Sequence, residues 1–188
     1  MESVAHRAFV PVADYLAGEP LGEVRHEYIG GGVHAMAGGS REHNRLALNL
    51  VTALDGHLGS ASSCQVYSMD VKVRLVISEE DIFYYPDVLV GCDSRDTDRF
   101  FLRFPKLIGE ILSPATEATD RREKLLAYRS IPTLEEYVLV AQDRVQITVY
   151  SRAQAWAPKV YEELEQAVHF ESVGLDLPVS TIYRRIFA

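Results

Sequence analysis

A glutamate stands inside an apolar run, Leu107-Ile108-Gly109-Glu110-Ile111-Leu112, and an aspartate, Asp87, opens a second one, Val88-Leu89-Val90, directly behind Pro86. Both runs have the length and composition of short buried strands. A carboxylate taken out of water without a partner is costly, so each of these acids needs something to compensate it. Two of them, one at a strand's start and one within the next, suggest a divalent-metal site. Lys124 follows on what reads as the next helix. Together the three residues point to metal-assisted phosphodiester chemistry. That chemistry needs a nucleophilic water, a stabilised leaving oxygen and neutralised phosphate charge, and Mg2+ held by one or two carboxylates supplies all three. An ammonium beside it can steady the charge developing on phosphate or orient the attacking water.

Each residue taken singly has a structural explanation. Pro-Asp before a strand is common turn chemistry. Glu110 could be half of a buried ion pair with an arginine. Lys124 could be a solvated helix lysine, and Tyr128 an aromatic at the core's edge whose hydroxyl finds one partner. Asp120, three residues before Glu123, has the form of a capping box and is explained as an N-cap. Glu27 could complete an acidic site or face solvent. His43, in the first turn of a helix, could carry protons or merely sit at the surface. It is the ordered combination that carries the functional reading.

These residues need a scaffold, and the pattern supplies one. A short helix is expected around Val12–Leu16, stopped by Gly18 and Pro20. Arg25–Ile29 and Val33–Ala37, joined by Gly30-Gly31-Gly32, read as a β-hairpin that carries His26 and His34 on facing arms, without the spacing of a zinc site. Ser40 is a candidate N-cap for a helix whose apolar positions Ala47, Leu50, Val51, Leu54 and Leu58 recur at helical spacing, and Gly59 is placed to end it. One long strand-like stretch runs from Cys64 to Ile77, with Val71, Val73 and Leu75 alternating against Asp70, Lys72 and Arg74, so that one face should be wet. The Asp87 strand, a polar arginine-bearing connection and the Glu110 strand follow. A helix from Asp120 to about Ser130 comes next, then a buried strand at Glu136–Ala141, an antiparallel pair at Val145–Tyr150 and Val160–Glu162, and a short amphipathic end at Ile182–Phe187. The order from Ser40 to Ala141 is helix, three strands, helix, strand. The expected fold class is α/β, a mixed sheet flanked by helices.

The 188 residues suit one domain, with a core at about residues 40–141. A composition of 47% hydrophobic and 24% charged residues is that of a globular protein. Without a membrane-length apolar stretch, and with Met1-Glu2-Ser3-Val4 unlike a signal peptide, the chain is expected in the cytoplasm and away from membranes. Two reduced, half-buried thiols are expected at Cys64 and Cys92. The net charge of −8 argues against a broadly basic nucleic-acid surface. Local basic groups do occur, at Arg95, Arg99, Arg103 and Lys106 in one connection and at Arg121, Arg122, Lys124 and Arg129 in one helix.

The chain resembles the PD-(D/E)XK nuclease superfamily and, more closely, its bacterial restriction-endonuclease family of Uma type. The resemblance rests on Glu27-Tyr28-Ile29, Gly32-Val33, Ala35-Met36-Ala37, His43, Tyr85-Pro86-Asp87-Val88, Glu110-Ile111-Leu112-Ser113-Pro114, Asp120 with Lys124 and Tyr128, and Glu136-Tyr137. It implies a restriction-endonuclease-like sheet with an added N-terminal hairpin and added C-terminal antiparallel strands. It further implies Mg2+ or Mn2+ as cofactor, with Asp87, Glu110 and the backbone carbonyl of Ile111 as metal ligands, and DNA as substrate. The superfamily's lysine would sit at position 112, where this chain has Leu112. In the closer family the lysine moves to the following helix, which makes Lys124 the candidate. Asp120, Lys124 and Tyr128, at i, i+4 and i+8, share one helix face. A homodimer suits the cutting of two strands. Two alternatives stay open on sequence alone. One is a catalytically silent nucleic-acid- or protein-binding module, and the other a metal-dependent hydrolase of a small phosphorylated substrate.

Overall fold

The computed structural model describes residues 9–187, so the opening Met1-Glu2-Ser3-Val4 lies outside the described residues. Its centre is a six-stranded mixed sheet in the order β11-β10-β9-β8-β6-β3. These strands are β3 (Gln65–Tyr67), β6 (Val88–Gly91), β8 (Pro105–Leu112), β9 (Glu136–Ala141), β10 (Ile147–Ser151) and β11 (Pro158–Tyr161). β6 runs antiparallel to β8, and β8 runs parallel to β9. A parallel neighbour requires a crossover, and the helical segment 117–129 provides it. A second sheet of five strands has the order β2-β1-β5-β4-β7, from β1 (His26–Ile29), β2 (Gly32–Ala35), β4 (Lys72–Ile77), β5 (Glu80–Tyr84) and β7 (Phe101–Leu102).

Period-2 alternation on both faces of the six-stranded sheet produces two cores. One face buries Val88, Val90, Leu107, Ile111, Val138 and Val140 against Leu46, Leu50 and Leu54 of α2 (Arg41–Leu58). The other buries Leu89, Ile108, Leu112, Tyr137 and Leu139 together with Val73, Leu75 and Tyr84 of the five-stranded sheet and Tyr128 of the crossover helix. A smaller aromatic cluster of Tyr15, Tyr28, Phe83 and Phe101 seats α1 (Val12–Gly18) on the five-stranded sheet. Gly109 has a local reason. A Cβ there would come within 3.2 Å of Val88 Cβ and 3.6 Å of Leu50 Cδ2, so its absence lets α2 and β6 close on the strand that carries Glu110.

The expected N-terminal hairpin is present, with Gly30 and Gly31 both at positive φ in a two-residue loop and Gly32 already paired to Ile29. α2 begins as expected, the His43 N–H donating to Ser40 Oγ, and ends at Gly59 with φ 63°.

Other expectations are corrected. The stretch from Cys64 to Ile77 is two strands in two sheets. The chain turns at Ser68–Asp70, with Met69 at φ 56°, and leaves β3 for β4. The wet face fails at Lys72, which is buried over the rings of Tyr85 and Phe100. A strand absent from the sequence reading, β5, pairs with β4 across the tight turn Ser78-Glu79. The arginine-bearing connection contains β7, and a separate hairpin of β12 (Ala167–Phe170) and β13 (Leu175–Pro178) precedes α5 (Val179–Ile182). Cys64 and Cys92 are not free thiols but a disulfide. The antiparallel register Gln65↔Gly91 puts the next residues, Cys64 and Cys92, face to face.

Asp120 does not cap a helix. The segment opens as α3 (Glu117–Thr119), passes through a π-turn at Asp120–Lys124 and continues as α4 (Leu125–Arg129), so Asp120 lies inside it with helical dihedrals. No helix among the described residues is long and apolar enough to cross a membrane.

Candidate active site

The site forms where β6, β8, the crossover helix, the N-terminal hairpin and the start of α2 meet. Val88 pairs with Gly109, so Asp87, one step ahead of β6, stands opposite Glu110. The Asp87 carboxylate is fixed at both oxygens. Oδ2 accepts the Ile111 N–H at 2.7 Å, and Oδ1 lies 2.9 Å from His43 Nε2. Its backbone carbonyl accepts Ser68 Oγ at 3.0 Å. An ionised carboxylate only accepts, so the His43 contact puts that proton on Nε2. His43 Nδ1 is left buried and without a partner among the described residues.

Glu110 is 3% exposed. Its Oε1 takes two donors, Lys124 Nζ at 3.1 Å and the Tyr128 hydroxyl at 3.0 Å. Lys124, 6% exposed, also lies 3.2 Å from Glu27 Oε1 and 3.3 Å from Asp120 Oδ1, and its ammonium sits 5.3 Å above the Tyr84 ring. The last two ion pairs are close but lack hydrogen-bond alignment, so Glu27 Oε1 and Asp120 Oδ1 remain buried oxygens without a donor among the described residues. Three acids thus surround one lysine. The excess negative charge and the orphaned oxygens suit an added cation, and carboxylate oxygens are the hard donors that Mg2+ or Mn2+ takes. Among the described residues no three His, Cys, Asp or Glu side chains already converge as a complete ligand set. A cation here would complete its shell with backbone carbonyl, water and substrate oxygens, as Mg2+ commonly does.

The electrostatics follow from this crowding. Burial pushes the Glu110 carboxyl well above the ordinary carboxylate value, and the charges of Asp120, Asp87 and Glu27 add to the rise while Lys124 opposes it. Burial alone would lower Lys124, but Glu110, Glu27 and Asp120 outweigh it and hold the lysine well above its usual value. The lysine therefore stays charged beside Glu110. Tyr128 is driven upward by burial and then by the Glu110 charge, so its hydroxyl stays a donor. Removing that donor as Tyr128→Phe should cost about 1–2 kcal/mol of stability by urea denaturation. An unchanged midpoint would mean that Glu110 has no need of it.

All eight sequence candidates fall into two adjoining groups. His43, Asp87 and the Ile111 amide form one; Glu27, Glu110, Asp120, Lys124 and Tyr128 form the other. Ile111 meets the site through its N–H, a contact the sequence reading did not include. That reading also missed Tyr84 beneath the lysine, Ser68 on the Asp87 carbonyl, and Tyr137, whose hydroxyl donates to the Asp120 carbonyl at 3.0 Å. Tyr84 directly precedes Tyr85-Pro86-Asp87 and so could have been suspected, but nothing local singles out Ser68. Leu112 is buried in the core between the sheets, and the ammonium beside Glu110 is that of Lys124 on the crossover helix.

The family model Uma2, described as "Putative restriction endonuclease", matches residues 12–180. Two cyanobacterial proteins of Synechocystis are related along most of their length. "Uncharacterized protein slr1290" is 34% identical over 174 residues, covering 91% of this chain and 90% of its own. "Uncharacterized protein sll1609" is 32% identical over 155 residues, covering 81% and 86%. A crystal structure from Anabaena variabilis, titled as a "putative nuclease belonging to DUF820", superposes with a TM-score of 0.75 at 19% identity, over 93% of this chain and 97% of that one. That likeness shows the fold.

Proposed function

Because the chain belongs to the Uma2 restriction-endonuclease family, we propose that it is a divalent-metal-dependent endonuclease that hydrolyses DNA phosphodiester bonds. The observation that carries the reading is that Asp87, just ahead of β6, stands opposite Glu110 of β8, with Lys124 held 3.1 Å from Glu110. Asp87 and Glu110 would hold Mg2+ or Mn2+, with the Ile111 carbonyl as a further ligand. When bound, the cation polarises the phosphate and activates water. The chain's own groups do the rest. The Ile111 N–H and His43 fix the plane of the Asp87 carboxylate, and Tyr128 fixes Glu110. Lys124 offers its ammonium to the charge that develops on the phosphate and to the attacking water. Asp120 and Glu27 restrain that ammonium and keep it protonated. In-line attack leaves a 3′ hydroxyl and a 5′ phosphate, and a homodimer would bring one site to each strand.

The test is calorimetry of Mn2+ into the wild type, followed by plasmid nicking with the same samples. Binding accompanied by Mn2+-dependent nicking is the expected result. Binding without nicking of any DNA would move the reading to a small phosphorylated substrate, and no binding would leave a catalytically silent fold. Affinity for DNA should fall as salt rises, with a log–log slope of roughly −0.9 per neutralised phosphate, measured by fluorescence anisotropy. A salt-independent affinity would argue against phosphate contact. Arg99 and Arg103, lying over the Phe100 and Phe101 rings, are the cations to substitute in that measurement.

A further inference from the structure

The Cys64–Cys92 disulfide closes the end of the β3–β6 pair, where Cys64, Val66 and Cys92 lie partly buried at the border of the core beneath α2. β3 is three residues long and lies at the edge of its sheet, paired among the described residues only with β6. An edge strand that short has little stability of its own, because its backbone is bonded on one side only. Yet the residue that follows it touches the site. Ser68 Oγ donates to the Asp87 carbonyl at 3.0 Å, and the next residue, Met69, adopts a left-handed φ of 56° that only surrounding contacts can maintain. The Met69 carbonyl in turn accepts Arg25 Nη1, just ahead of the hairpin that carries Glu27. The disulfide therefore anchors, from four residues away, the turn that braces Asp87. Both cysteines are partly exposed, so a reductant can reach them.

We propose that the Cys64–Cys92 bridge is a redox-sensitive latch on the site, holding β3 and the Ser68–Met69 turn against Asp87 when oxidised and releasing them when reduced. The inference rests on reading Asp87 as a metal ligand. The reductant is a dithiol. Its thiolate attacks one cysteine sulfur, the Cys64–Cys92 bond breaks, and the other cysteine leaves as a thiolate that takes up a proton. The second thiol of the reductant then resolves the mixed disulfide. Two electrons and two protons pass to the protein, and the dithiol becomes a cyclic disulfide.

The test compares the full chain as oxidised protein, as protein reduced with dithiothreitol and desalted, and as the double variant Cys64→Ser/Cys92→Ser. Hydrogen exchange is read by mass spectrometry on peptides covering 64–70 and 85–91, and Mn2+ affinity by calorimetry. Reduction should speed exchange about tenfold in both peptides and weaken Mn2+ binding by about tenfold, the usual scale for losing a support behind a ligand. The double variant should match the reduced protein and ignore dithiothreitol. Faster exchange confined to residues 64–67, with residues 85–91 and Mn2+ affinity unchanged, would overturn the latch and leave a local staple. Two free thiols that resist oxidation by oxidised glutathione would overturn it as well. If Mn2+ binds neither form, the metal reading fails separately, and the exchange of residues 85–91 alone decides the latch.

Discussion

Replacing Lys124 with methionine should cost about 3–5 kcal/mol of stability in the metal-free protein, because it leaves buried acids without their cation. Methionine keeps most of the side chain's length and packing, so the loss reports charge rather than a cavity. Glu110, Glu27 and Asp120 all lie within 3.3 Å of the lysine nitrogen, and two of them have a buried oxygen with no hydrogen-bond donor among the described residues. Lys124 is held above its ordinary value of 10.5 in the folded chain. Its contribution is therefore complete below 10.5 and fades only as pH climbs through the raised folded value. A divalent cation should restore part of it. At a hundredfold excess over its dissociation constant, a ligand that binds only the folded state returns about 2.7 kcal/mol. Urea denaturation with EDTA and with Mn2+ measures both effects. A loss below about 1 kcal/mol would place the lysine with ordinary solvated pairs.

The same acids explain how much of the molecule could be read in advance. Glu110 declared itself because a carboxylate inside an apolar strand demands compensation; the partners are Lys124 and Tyr128, which the family resemblance singled out and helical spacing put on one face, and not the arginine that a structural ion pair would have used. Local signals also sufficed for α2, whose Ser40 and Gly59 mark its ends, and for the Gly30-Gly31 hairpin. What failed was non-local. Alternation from Val71 to Leu75 is the same whether a strand joins one sheet or another, so the break at Met69 and the departure of β4 to a second sheet left no trace in the period. β5 was missed because its turn uses Ser78 and Glu79 at positive φ, where glycine or asparagine would have marked it. Asp120 matched a cap by spacing, but the helix starts earlier, at Glu117, and the π-turn carries the aspartate inward to Lys124. The disulfide depends on a strand register that two cysteines 28 residues apart cannot reveal.

Substituting the two acids should separate chemistry from stability. Asp87→Ala and Glu110→Gln should each abolish Mn2+ binding and nicking, but their effects on the metal-free fold should differ. Asp87→Ala strips His43 and the buried Ile111 N–H of their acceptor and should cost about 1–3 kcal/mol; Asp87→Asn, which keeps an acceptor oxygen, should cost less and be as inactive. Glu110→Gln leaves Lys124 with Glu27 and Asp120 and removes one of three crowded charges, so it should leave stability at pH 7 unchanged or raise it by about 1 kcal/mol. Its pH dependence gives a second handle. Burial, then the neighbouring acids, raise Glu110 above the ordinary 4.5, so the folded chain holds its proton longer than the unfolded one. The stability it contributes is full below 4.5 and is lost as pH rises through the raised folded value. Metal-free wild type should therefore weaken from acid toward neutral pH relative to Glu110→Gln, and Mn2+ should abolish the difference by binding only the wild type. A Glu110→Gln protein that is instead weaker than wild type by more than about 1 kcal/mol at pH 7 would make Glu110 chiefly the structural partner of Lys124. The metal would then have to be sought at Asp87 without it.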